Sequence, residues 1–100
     1  MYQSRLESEQ VDLLCDALVT VDTRETAYRL LDDLCTIAEV QALSQRIAVA
    51  RMLRGGATYQ EIVKQTGAST ATISRVNRCL QYGADGYTKT LDKLDNQGGS

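Results

Sequence analysis

Side chains spaced for chemistry concentrate between Thr58 and Leu80, in TYQEIVKQTGASTATISRVNRCL. Ser69, Thr70, Ala71, Ser74 and Arg75 fall on the start and outer face of one helical repeat. Thr58, Gln60, Lys64 and Arg78 flank them, with Arg54 just upstream. Short hydroxyl and methyl groups let a helix approach base edges closely, and cations or amides beside them can hold phosphates. The first set is therefore expected to read bases. Arg54, Thr58, Gln60, Lys64 and Arg78 are expected at the phosphate backbone, with Arg78 able to do either.

Covalent chemistry has little to work with. The chain contains no histidine, which removes the commonest general base and the Ser-His and Cys-His nucleophile pairs. No phosphate loop of the Gly-x-x-x-x-Gly-Lys-Ser/Thr type is present. Cys15, Cys35 and Cys79 are far apart, with no Cys-x-x-Cys, so buried reduced thiols are expected rather than a zinc site or disulfides. No enzyme, metal or cofactor is expected.

The elements that must position these residues are two short helices and a glycine turn. Thr58 and Glu61 form a capping box that starts a helix at Tyr59, with Ile62 and Val63 turned to the core. Gly67 can take the positive φ of a helix end, and Ser69 is an N-cap for a second helix. There Ile73, Val76 and Leu80 recur three and four apart as an inward stripe. This is the division of labour in a helix-turn-helix: one helix braces, and the other offers its outer face to the major groove. An αα-hairpin of a plain bundle would share the glycine and the stripe. Its outer face would usually carry Glu and Lys rather than hydroxyls and arginines.

The chain of 100 residues is 43% hydrophobic and 24% charged, without Pro, Phe or Trp, which favours one helical domain over 1–100. Its formal net charge of −2 is unevenly distributed. Residues 1–45 hold three cations against nine acids, a net −6, and residues 83–100 hold two against three. Residues 46–82 hold six cations against Glu61 alone, a net +5. Phosphate attraction acts within a Debye length of about 10 Å, so the local charge outweighs the total. No apolar run reaches the ~20 residues of a membrane span, and MYQSRLESEQ lacks a signal-peptide core, so a cytoplasmic protein is expected.

About six helices are expected in an all-α fold. The first runs from about Ser8 to Thr20, with Val11, Leu14, Cys15, Leu18 and Val19 as its stripe. Asp22 and Glu25 cap the second, where Ala27, Leu30, Leu31 and Leu34 face inward. The third, from about Ile37 to Arg54, has an apolar set wide enough to be buried on two sides. The helices over 8–54 are assigned to dimerisation, because a short chain cannot easily cover the first two stripes. The helix-turn-helix occupies 58–82, a final helix 85–95, and a disordered tail 96–100.

ALSQR at 42–46, LRGG at 53–56 and TGASTATISRVNRCL at 66–80 resemble the Trp repressor superfamily, in its YerC/YecD-type branch. The resemblance covers roughly 8–94 and implies an intertwined, all-helical homodimer that binds operator DNA as a regulator, plausibly a repressor. In the Trp repressor two arginines sandwich the bound tryptophan. Arg46 and Arg75 match them, and Thr72 matches a threonine lining that pocket. Val76 stands where the repressor has a glycine, and Cys79 where it has a serine that helps hold the amino acid. Both changes argue against tryptophan as corepressor, leaving Arg46, Thr72, Arg75, Val76 and Cys79 as an effector pocket of unassigned ligand. The competing expectation is a helical interaction module whose helix-turn-helix docks a protein partner, which leaves the +5 segment without a purpose.

Overall fold

Ser8, Thr23, Thr58 and Ser69 each present a side-chain oxygen that accepts a backbone N–H of the helix that follows, and those caps set four of the helix starts. The computed structural model describes residues 2–98 and contains six α-helices, with no strand among the described residues. They are α1 (Glu9–Val19), α2 (Arg24–Leu34), α3 (Ile37–Arg54), α4 (Tyr59–Thr66), α5 (Thr70–Tyr82) and α6 (Gly86–Gly98). None is long and apolar enough to cross a membrane.

Two details differ from expectation. The cap of α2 is Thr23, not Asp22: Thr23 Oγ1 accepts the Thr26 N–H at 3.1 Å and donates to Thr26 Oγ1 at 2.9 Å. Two bonds to one residue outcompete a carboxylate one position further from the first turn. The last helix extends past residue 95 through Asn96 and Gln97 to Gly98, where a disordered tail was expected. Continuing an existing helix adds one hydrogen bond per residue ordered, which polar residues can sustain. Residues 99–100 lie outside the described part.

Where one domain was expected, contacts divide the chain into two units, residues 1–37 and 38–100. In the first, neither α1 nor α2 has a buried residue. Leu13, Leu14, Leu18 and Val19 of α1 are 70%, 41%, 49% and 83% exposed, so the stripe meets water in the isolated chain.

The second unit owns the core. Val49 and Ala50 of α3, Ile62 of α4, Ala68 of the turn, Ile73 and Val76 of α5 and Leu91 of α6 form one buried cluster. Met52, Leu53, Ala57, Leu80 and Tyr87 pack against it. Only one side of α3 is covered, since Leu43 and Ile47 stay exposed. Val63, expected inside, is likewise exposed, because at i+1 from Ile62 it turns about 100° away from the core.

Candidate nucleic-acid interface

The turn between α4 and α5 is held from three directions. Gly67 adopts φ 73°, a left-handed conformation that a Cβ would disfavour, and its N–H returns to the Val63 carbonyl at 2.9 Å. Thr66 Oγ1 donates to the Ile62 carbonyl at 2.7 Å and accepts the Ala68 N–H at 3.1 Å. From α3, Gln45 Nε2 donates to the Thr66 carbonyl at 3.1 Å. Ala68 then seats its methyl in the core. The redirected chain enters α5 with the Thr72 N–H capped by Ser69.

At the start of α4 the capping box is complete: Thr58 Oγ1 accepts the Glu61 N–H, and the Glu61 carboxylate accepts the Thr58 N–H. Those bonds hold the Glu61 carboxyl below its ordinary range, the backbone bond being the larger cause. At the start of α5, Ser69 Oγ accepts the Thr72 N–H and donates to Thr72 Oγ1, each at 3.1 Å. Ser69 thus spends its hydroxyl proton on the cap and keeps one lone pair for an outside donor.

With Ile73 and Val76 buried, the opposite side of α5 is open. Thr70, Ala71, Ser74, Arg75 and Arg78 are all exposed. Gln60 and Lys64 are exposed on α4, and Thr58 is exposed at its N-cap. The residues assigned to base reading therefore share one accessible helix face. Of those assigned to phosphate, Thr58, Gln60 and Lys64 lie at or on the bracing helix, Arg78 lies on α5, and Arg54 ends α3. Arg54 is engaged within the chain: Nη2 donates to Asp92 Oδ1 at 2.5 Å and lies 3.7 Å from Asp95 Oδ2, while Nη1 donates to the Thr88 carbonyl at 3.3 Å.

The family model described as Trp repressor protein matches residues 9–95. The chain belongs to the Trp repressor family. It is 51% identical over 94 residues to the uncharacterised protein YerC of Bacillus subtilis (strain 168), covering 94% of this chain and 90% of YerC. A crystal structure of a candidate Trp repressor from Staphylococcus aureus is 50% identical, with a TM-score of 0.85 over 91% of both chains. A Trp-repressor-like protein from Eubacterium eligens ATCC 27750 is 48% identical, with a TM-score of 0.84 over 90% of this chain and 93% of its own.

Within this Trp repressor family member, the five effector-pocket candidates differ in exposure. Val76 is a core residue, 2% exposed, and its side chain is committed to packing. Arg46 and Thr72 are half-buried, whereas Arg75 and Cys79 are exposed. Cys79 lines an open, mostly apolar hollow of about 400 Å³ with Ile47, Ala84, Gly86, Tyr87 and Thr90. Tyr87 links two of the candidates. Burial pushes its phenol above its ordinary range, Arg46 pulls the other way, and Cys79 adds a smaller upward push. Among the described residues no group of three or more Cys, Asp or Glu could hold a metal ion.

Gln45, Asp92 and Asp95 are the structural contributors that sequence patterns missed. Gln45 lies inside the ALSQR motif, so its position was flagged but not its partner. Tyr87 begins the i, i+4, i+7 apolar set Tyr87, Leu91 and Leu94 that the sequence assigns to the last helix, and it packs against the core.

Proposed function

We propose that this protein is a transcription regulator that binds double-stranded operator DNA sequence-specifically through α4–α5, as a homodimer, and represses. The observation that carries this reading is the outer face of α5: five adjacent small, hydroxyl or basic residues stand exposed on a helix whose other face is core. Thr70, Ala71, Ser74 and Arg75 read base edges, and Ser69 offers its remaining lone pair. Thr58, Gln60, Lys64 and Arg78 hold phosphates and set the register.

The homodimer is supported by the exposed apolar residues of α1 and by Leu34 at the end of α2, which need a partner surface, and by the small footprint of one reading helix. No tryptophan corepressor is proposed. Val76 already fills space in the core, and the exposed Cys79 offers a poor hydrogen-bonding group.

The test is selection of duplexes from a random pool by the purified protein at moderate salt without added ligand, followed by a salt titration on the enriched sequence. A palindrome whose half-sites lie about one helical turn apart, with affinity falling steeply as salt rises, is the expected result. If no duplex is retained at any salt, the DNA reading falls and docking of α4–α5 on a protein partner takes its place.

A further inference from the structure

We propose that Arg54 is a positioning residue that clamps α6 against the end of α3 and thereby keeps α5 in its reading position, an effect on reading that rests on the function proposed above. Three observations meet at this residue. Its guanidinium is divided between two carboxylates one turn apart, Asp92 and Asp95, and a backbone carbonyl, that of Thr88, all on α6. Residues 88, 92 and 95 follow the i, i+4, i+7 spacing of one helix face, so a planar fork meets them together where a point-charge ammonium would not. Leu91, between those contacts, is 2% exposed and belongs to the same buried cluster as Ile73 and Val76 of α5. Locking α6 therefore locks the packing behind the reading helix.

The connection needs such a lock. Between α5 and α6 the chain passes through Gly83 and Asp85, and Asp85 has a positive φ of 67°, a conformation uncommon outside glycine. Such a link supplies little apolar burial, for Ala84 and Asp85 are exposed. The anchoring of α6 falls to Leu91, Tyr87 and the Arg54 fork.

A phosphate contact is the rival role for the same arginine, and the two separate cleanly. Three variants are compared with the parent: Arg54→Met, Arg54→Lys, and the exchange Arg54→Asp with Asp92→Arg. Amide hydrogen exchange across residues 86–98 reads the clamp in free protein, and duplex affinity against salt reads its consequence. The clamp predicts exchange over α6 accelerated about fivefold in Arg54→Met, the scale of one partly exposed ion pair. It predicts partial acceleration in Arg54→Lys and recovery in the exchange variant. Duplex affinity falls and recovers in the same order, with the salt slope unchanged.

Equal α6 exchange in parent and Arg54→Met overturns the clamp. So does a salt slope reduced by about one in Arg54→Met and not restored by the exchange, which is the mark of a lost phosphate contact. If the parent itself binds no duplex, the function fails, while the exchange data still decide the clamp.

Discussion

Thr58 and Glu61 satisfy one another's backbone: Glu61 Oε1 accepts the Thr58 N–H at 2.9 Å, and Thr58 Oγ1 accepts the Glu61 N–H at 3.2 Å. The pair starts the bracing helix, and one member carries a charge that titrates. Because the bonds favour the carboxylate, the folded-state pKa of Glu61 lies below its ordinary value of 4.5. A depressed carboxyl contributes stability that is present above the unfolded pKa and lost as pH falls through the folded one. The stability advantage of the parent over Glu61→Gln should therefore be complete at neutral pH and shrink as the solution is acidified below about pH 4.5. Chemical denaturation of both proteins from neutral to acid pH measures it, and a constant gap would remove the charge from the cap.

Tyr87 supplies the opposite sign. Its phenol is held above the ordinary range, chiefly by burial, so the neutral form is the folded form. That contribution is fully present below the unfolded pKa of about 10 and is lost as pH rises through the folded value. Tyr87→Phe should consequently gain on the parent in denaturation midpoint as alkali is added. Parallel slopes for the two proteins would show that the ring ionises without feeling the fold.

Two glycines bracket the reading helix for different reasons. At Gly67 the left-handed backbone is the obstacle, and Gly67→Ala is expected to cost about 1–2 kcal/mol. At Gly83 the obstacle is space, since a Cβ there would lie 2.4 Å from the Cys79 carbonyl oxygen, which is backbone and cannot swing away. Gly83→Ala should cost about 1–3 kcal/mol as the end of α5 shifts. Urea denaturation reads both, and a neutral Gly83→Ala would mean that the helix end relaxes freely.

Lys64 and Thr70 are expected to fail differently. Lys64→Ala should weaken all duplexes alike and lower the salt slope by about one, whereas Thr70→Val should change which sequence is preferred. Competition binding with a panel of duplexes distinguishes the two. An unchanged slope in Lys64→Ala would withdraw its phosphate role.

The uncovered stripe of α1 makes a prediction about mass. Leu18, 49% exposed and one turn from Leu14, should sit in the dimer contact, so Leu18→Glu should halve the sedimenting mass or raise the concentration needed for association. If the parent sediments as a single chain, the stripe has another occupant.

What the sequence determined by itself was the set of features whose hydrogen bonds close within four residues: the Thr58–Glu61 box, the Gly67 turn, the Ser69 cap, and the i, i+3 stripe of Ile73 and Val76. Of the three motifs that carry the family resemblance, TGASTATISRVNRCL contains the Gly67 turn and the Ser69 cap, and the family match itself extends over 9–95. Neighbouring residues resolve such features against one another, so side-chain type and spacing suffice. The tertiary structure alone decided which charges remain available and which apolar faces are covered. Arg54 meets Asp92 across 38 residues of chain, and Gln45 meets Thr66 across 21. An ion pair of that separation depends on where two helix ends arrive, and that follows from the packing of Val49, Ile62, Ile73 and Leu91 around one centre. No local periodicity encodes it.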